Sequence, residues 1–329
     1  MLRIRQFVKD VDELVWVKVL NSAYQEYRDW RAISVEELMT EEENQDSQSH
    51  TRFVAELDGR PVGIIHAYLE EPLRRDNGII EGFGVIPDVH GLGVEEQLVK
   101  SAVKELKRHG VTVIRMPRLR WPNLENGDRI EFLEKLGFNL VRRISLMEIS
   151  LEHIPSNIGE NSKVTLRLAR KNRIEDVEML SWLRNECSKD QFNYRPTTTK
   201  EIRDLLLKSP YSYLETFFAL LDEQIAGFIV LGIDEKYNVE KNVKAGIVLG
   251  IGVLKPHRKK GVGTALVLHG LEALRPLGMT KAGLDVDDFN QTRAKELYQK
   301  VGFKTVERYL TYEMNIKKAK GEGETEEQR

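Results

Sequence analysis

The chain has 329 residues, with 50 Lys and Arg against 52 Asp and Glu, a formal charge of −2 that gives no reason to expect bulk binding to nucleic acid or to an anionic membrane. With 41% apolar and 31% charged residues it is not a disordered chain, and its length suits about two domains of roughly 100 to 200 residues each. The apolar stretch 245–254 is shorter than the roughly 20 residues of a membrane helix, no apolar segment follows Arg3 and Arg5 as in a signal peptide, and the lone Cys187 can form neither an intrachain disulfide nor a cysteine zinc site. The expectation is a cytoplasmic protein with no metal, no membrane and no nucleic-acid partner.

In chain order, the alternating strand Leu2-Arg3-Ile4-Arg5 leads into a stretch of helical period over residues 11–20. An apolar strand, the turn Asp58-Gly59 and a second strand make a hairpin over 53–63. The strand end Gly84-Val85-Ile86 runs through a glycine-bearing loop into a helix holding Leu98, and Lys135-Leu136-Gly137-Phe138 closes the half. Residues 151–162, rich in turn formers, read as a linker. The same order then recurs: strand Thr165-Leu166-Arg167-Leu168, helical period over 174–183, hairpin over 217–227, strand end Gly252-Val253-Leu254, glycine loop, helix with Leu266, and Lys300-Val301-Gly302-Phe303. Leu98 and Leu266 are 168 residues apart, Gly137 and Gly302 are 165 apart, and such a sustained offset indicates duplication with one small indel. The predicted organisation is a first domain at 1–150, the linker 151–162, a second domain at 163–316 and a solvated charged tail at 317–329. Each copy is expected to be α/β (α+β) with a mixed sheet.

The segment Gly252-Val253-Leu254-Lys255-Pro256-His257-Arg258-Lys259-Lys260-Gly261-Val262-Gly263-Thr264 ends a strand in a basic, glycine-bearing turn that opens a helix. Such a turn aims free backbone N–H groups and the positive helix end at one point, which is how a pyrophosphate is held. A solvated surface turn is the alternative for a string this short. A P-loop is excluded because its Gly-Lys-Ser/Thr is missing, and the dinucleotide fingerprint is excluded because Leu266 stands where its third glycine belongs.

Arg258-Lys259-Lys260-Gly261-Val262-Gly263 resembles the Arg/Gln-x-x-Gly-x-Gly/Ala signature of the GNAT (GCN5-related) N-acetyltransferases. Further on, Asn290-Gln291-Thr292-Arg293-Ala294-Lys295-Glu296-Leu297-Tyr298-Gln299-Lys300-Val301-Gly302-Phe303 resembles the family's Asn-x-x-x-Ala-x-x-Leu-Tyr-x-x-x-Gly-Phe segment. The resemblance covers the second half and, through the repeat, extends to the first. It implies two tandem domains, each a mixed, mostly antiparallel sheet flanked by helices. The tandem pair, with Leu284-Asp285-Val286-Asp287-Asp288-Phe289-Asn290 before the last helix, is also similar to the arrangement in mycothiol synthase, from which no substrate is carried over.

The resemblance implies acetyl transfer from acetyl-CoA to an amine, by direct attack, in the second domain. The coenzyme would pair with Ile251, Gly252 and Val253 and rest its pyrophosphate on Arg258, Lys259, Lys260, Gly261, Val262, Gly263 and Thr264. The Val253 N–H would stabilise the developing oxyanion. Tyr298 would be the proton donor, although its periodicity with Ala294, Leu297 and Val301 also fits a packed core stripe. Asn290 would cap a helix or bond to the coenzyme. The strand before the loop carries no carboxylate, which leaves Asp285, Asp287 and Asp288, the first two on one strand face, or a water, as the base; His257 is read as a bystander. Asn193-Tyr194-Arg195-Pro196 and Tyr211-Ser212-Tyr213 are either acceptor contacts or surface loops. The acceptor is a small-molecule or peptide amine, and the chain is expected as a monomer or homodimer. A non-catalytic acyl-CoA-binding or regulatory protein on the same fold is the alternative.

The first copy reads His90-Gly91-Leu92-Gly93-Val94-Glu95 at the loop, with Glu95 where Gly263 stands. Leu133 replaces Tyr298, Arg129 replaces Ala294 and Glu125 replaces Asn290. A carboxylate at that place repels phosphate, so the first domain is expected to bind acetyl-CoA poorly and not to catalyse. Glu81 sits where active relatives keep a base, which leaves an altered activity there open.

Overall fold

The computed structural model describes residues 1–27, 30–43, 50–70, 76–119, 130–155, 163–192, 194–208, 211–290 and 292–316. In chain order its first elements are β1 (Leu2–Gln6), α1 (Glu13–Tyr24), α2 (Val35–Glu43), β2 (His50–Leu57), β3 (Arg60–Leu69), β4 (Asn77–Val85), α3 (Val94–Arg108), β5 (Val113–Leu119), α4 (Glu131–Lys135) and β6 (Asn139–Ser150). They are followed by β7 (Val164–Leu168), α5 (Ile174–Ser188), α6 (Thr199–Lys208), β8 (Tyr213–Leu221), β9 (Gln224–Ile233), α7 (Glu235–Lys241), β10 (Ala245–Val253), α8 (Val262–Leu274), β11 (Lys281–Asp287), α9 (Ala294–Val301) and β12 (Lys304–Asn315). The second helix of each half, α2 and α6, and the short α7 are elements that apolar periodicity alone does not announce.

The chain forms two compact units, Met1–Arg143 together with the strand from Tyr309 onward, and Ile144–Arg308. In the first unit the strands run β1-β2-β3-β4-β5-β12, antiparallel throughout except for the β4–β5 pair. In the second they run β7-β8-β9-β10-β11-β6, and β10–β11 is the parallel pair. Each is thus the mixed, mostly antiparallel sheet the sequence predicts. The division differs from a contiguous one at residue 150, because the last strand of each repeat belongs to the other copy's sheet. Residues of β6 pair with β11 from Ile144↔Asp287 to Ser150↔Lys281, and β12 pairs with β5 from Leu310↔Leu119 to Asn315↔Val113. The exchange is possible because duplicated strands carry interchangeable apolar patterns: Met147 and Ile149 enter the second core, and Leu310, Tyr312 and Met314 enter the first. Of the predicted linker, 151–155 are described, and 156–162 and the tail 317–329 lie outside the described residues.

Both hairpins turn on two residues of positive φ, Asp58 (52°) with Gly59 (81°) and Asp222 (49°) with Glu223 (64°), the geometry that matches strand twist in a two-residue connection. In the first unit, α1 buries Trp16, Val17, Val19 and Leu20, and α3 buries Leu98, Val99, Ala102 and Leu106, into one core. The second unit has a core under α8 and α9 and a separate one under α5 and α6. The first helix of each unit is braced alike. Arg5 NH2 donates to Asp12 at 2.9 Å, and Arg167 bonds both carboxylate oxygens of Asp176 at 3.0 and 2.9 Å.

Candidate active site

The site is built where β10 parts from β11. The two strands pair in parallel only from Ala245↔Lys281 to Val248↔Leu284, while β10 continues to Val253 along β9. A register shift between Val248 and Gly250 starts the divergence. Leu254 N–H donates to the Ala226 carbonyl at 2.9 Å, which makes 254/226 a hydrogen-bonded pair and 253/227 a non-bonded one. Alternation along an antiparallel ladder then turns the N–H and C=O groups of Val253 and Ile251 away from β9, into the gap. Among the described residues the Val253 N–H and the Ile251 N–H and carbonyl have no partner, while the Val253 carbonyl accepts from Arg258.

Gly252 must be glycine for packing reasons. A Cβ built on it would stand 2.6 Å from Phe228 and 2.8 and 2.9 Å from Cβ and Sγ of Cys187 on α5. The sequence gives no sign of this contact, which presses α5 directly onto the strand end. Burial raises the Cys187 thiol to about 11, opposed by the nearby Arg258, so it packs as a neutral thiol.

Past β10 a 3-10 turn at Lys255–His257 leads to Arg258, whose Nε donates to the Val253 carbonyl at 3.0 Å. Its terminal nitrogens form no hydrogen bond among the described residues. Lys259 and Lys260 are exposed. Gly261 sits ahead of α8 at φ 81°, a left-handed value that turns the loop into the helix, whose N-terminus has no side-chain cap and no acid in its first turn. Gly263 in that first turn faces Leu297 of α9, with a built Cβ 3.1 Å from its Cδ2. The gap, the guanidinium and the uncapped helix end suit the thioester arm and pyrophosphate of a coenzyme A.

Tyr298 is buried, edge-on to Phe303 at 5.9 Å between ring centres. Among the described residues its hydroxyl makes no hydrogen bond, and burial pushes its pKa up to about 12. A phenol so placed stays protonated at neutral pH. Asp285 and Asp287 share the strand face opposite the buried Ala282, Leu284 and Val286. Asp285 is exposed, and Asp287 accepts from the Phe289 N–H at 2.8 Å in a local turn. Asn290 accepts from the Thr292 N–H and hydroxyl, both at 2.8 Å, while Arg293, not Asn290, stands at the start of α9. Asp288 is tied to Lys295 at 2.6 Å and Ser145 at 2.7 Å, a network unseen in the sequence because Ser145 is far away along the chain. Gln291 of the second motif and Asn193 lie outside the described residues.

The matching place in the first unit has the same backbone and different occupants. β4 and β5 pair only from Asn77↔Val113 to Ile79↔Arg115, and Gly93 precedes α3 at φ 84°. Here Glu95 folds back, 5% exposed, and its Oε1 accepts from the Gly91 N–H at 3.2 Å and from His90 Nδ1 at 2.9 Å. The Tyr24 hydroxyl donates to the carbonyl of Phe83, the residue equivalent to Ile251, at 2.7 Å. Leu133, fully buried, occupies the place of Tyr298. Glu81 lies opposite His66, whose imidazole burial, with Arg52 and His50, holds neutral at about 3. Arg129 and Glu125 lie outside the described residues.

Each unit is a mixed sheet with a parted parallel pair and a glycine loop opening a helix, a duplicated α/β fold. The model of the acetyltransferase (GNAT) family matches residues 16–138 and again 177–303, and the chain belongs to that family. Over 95 residues, 27% of this chain and 56% of the relative, it is 34% identical to an N-alpha-acetyltransferase of Sulfurisphaera tokodaii, so the match spans little more than half of that protein. Among solved structures it resembles a GCN5-related N-acetyltransferase from Sphaerobacter thermophilus (TM-score 0.65, 19% identity, 95% of each chain covered). It also resembles a tandem GNAT protein from the clavulanic acid biosynthesis pathway (TM-score 0.68, 14% identity, 96% of this chain and 98% of that one). These structures share the fold. Among the described residues there is no cluster of metal-ligating side chains and no helix long and apolar enough to cross a membrane.

Proposed function

We propose that the second unit transfers the acetyl group of acetyl-CoA to an amine, small-molecule or peptide, and that the first unit does not catalyse. The carrying observation is the combination of an open strand edge at Val253 with an uncapped, acid-free N-terminus of α8. The amine nitrogen attacks the thioester carbon, the Val253 N–H donates to the carbonyl oxygen as charge develops, and the C–S bond breaks. Tyr298 gives its proton to the departing thiolate, a role that rests on its matching motif position and its protonated state at neutral pH. The amine proton leaves to water or to Asp285. Arg258 acts twice, bracing Val253 through its carbonyl and offering its terminal nitrogens to phosphate oxygens.

β10 carries no carboxylate, and that observation favours the second reading, an acyl-CoA-binding regulator on the same fold. Calorimetric titration with acetyl-CoA, paired with thiol release over a panel of amines, separates the two. About one equivalent bound with amine-dependent thiol release supports the transferase. Binding without release on any amine supports the regulator, and no binding overturns both.

A further inference from the structure

The repeat supplies an internal control for the helix that roofs the site. At an offset of 164, Asp12 corresponds to Asp176, Asn21 to Asn185 and Arg31 to Arg195. The scaffold contacts are repeated with them. Asn21 brackets Ile33 as Asn185 brackets Thr197, through paired bonds of 2.8 to 3.0 Å. Arg31 pairs with Glu37 at 3.0 Å as Arg195 pairs with Glu201 at 2.7 Å. The buried faces of the two helices differ at several places, Val177 standing for Glu13 and Ser181 for Val17, and one difference sets a guanidinium in place of an aliphatic chain. Leu20, 7% exposed in the first core, is matched by Arg184.

Arg184 is half-buried on α5 and, among the described residues, forms neither a hydrogen bond nor an ion pair. Burial and the neighbouring Arg195 both disfavour its charge, and Glu201 offsets them only in part, being already held by Arg195 and Thr198. A leucine at this position satisfies the same fold, so folding does not call for the guanidinium, and a desolvated unpaired charge is costly unless something outside the fold meets it. Arg184 stands about one helical turn before Cys187, whose sulfur lies against Gly252 at the end of β10, and its charged neighbours are Arg195 and Glu201. A planar guanidinium binds a carboxylate or phosphate through two parallel hydrogen bonds.

We propose that Arg184 is a specificity-determining residue that binds an oxyanion on the acceptor, so that the acceptor is an amine also bearing a carboxylate or phosphate. The proposal rests on the acetyltransferase reading of the second unit. Its test compares matched amines: amino acids against their carboxamides, and phosphoethanolamine against ethanolamine. The anionic member of a pair is favoured about 10- to 100-fold in kcat/KM, and Arg184→Leu removes that preference through KM with little change in kcat. Arg184→Lys restores part of it. Because leucine is the first unit's own residue, Arg184→Leu leaves the melting temperature unchanged or raised, whereas a merely structural role lowers it and spares the preference. Equal rates within each pair, or an equal loss on every acceptor, overturn the proposal. A second readout needs no turnover: succinate or inorganic phosphate raises the melting temperature of the wild type and not of Arg184→Leu. If no amine is acetylated, the transferase reading fails, and this shift alone decides. A shift that survives Arg184→Leu belongs to the glycine loop and overturns the anion site.

Discussion

The loop after β4 and the loop after β10 share a backbone: a 3-10 turn, a left-handed glycine at φ 84° or 81°, and a helix. They differ in what meets the helix end. After β4 the protein supplies its own anion, the Glu95 carboxylate, and its own hydroxyl, from Tyr24, on the strand edge. After β10, among the described residues, no side chain caps the helix end or meets the Ile251 carbonyl. The fold therefore does not need a bound phosphate to form this loop, and a single carboxylate is enough to close it. On the proposed reading, a duplicated domain can keep its shape without a working site because strand pairing and core packing do not pass through the loop's N–H groups.

Copying the closure into the open unit has the largest expected effect. Gly263→Glu places a carboxylate where Glu95 stands and lowers acetyl-CoA affinity about 100-fold or more, read by calorimetry, through repulsion of the phosphates. An unchanged affinity would move the ligand away from this loop.

Next is Tyr298→Phe, which makes the second unit resemble the first at Leu133. It lowers kcat about 100-fold with acetyl-CoA affinity unchanged, because only the proton donor is lost. Equal kcat in the two proteins would assign Tyr298 to the core alone.

Opening the closed unit is a smaller effect. Glu95→Gly with Tyr24→Phe frees both the helix end and the strand edge, and the acetyl-CoA stoichiometry rises from about one towards two, the new site about tenfold weaker for want of the arginine at His90. Two equivalents in the unaltered protein would refute the comparison itself.

The smallest effect tests what the units share. The Asp176 carboxyl is held below its usual value chiefly by hydrogen bonds from Arg167, and Asp12 likewise by Arg5. A folded-state pKa below the unfolded one favours the native state at neutral pH and loses that contribution as pH falls below about 4. Asp176→Asn should lower stability by about 1 to 2 kcal/mol at pH 7 and by less at pH 3, in urea melts. A pH-independent loss would reduce the pair to packing.

Much of this was readable along the chain. Alternation in residues 2–5, the turn residues Asp58 and Gly59 and the glycines of both loops are local signals, set by backbone sterics and by the period at which side chains meet a core. The offset of the repeat carried the loop's closure to Glu95, since a carboxylate beside a helix end follows from position alone. Local period could not show α2 and α6, whose apolar faces are short and whose starts depend on Ser34 and Thr198 bonding Glu37 and Glu201.

The sequence by itself determined the duplication, the type of sheet, the basic glycine loop and the tyrosine after it, because each is written in neighbouring residues. Tertiary structure alone decided which copy receives the last strands β6 and β12, that Tyr24 covers the strand edge at Phe83, that Cys187 bears on Gly252, and that among the described residues Arg184 forms no hydrogen bond or ion pair. Those facts join residues far apart in the chain, and a pairing or a vacancy between distant side chains exists only once the backbone has brought them within hydrogen-bonding or van der Waals range.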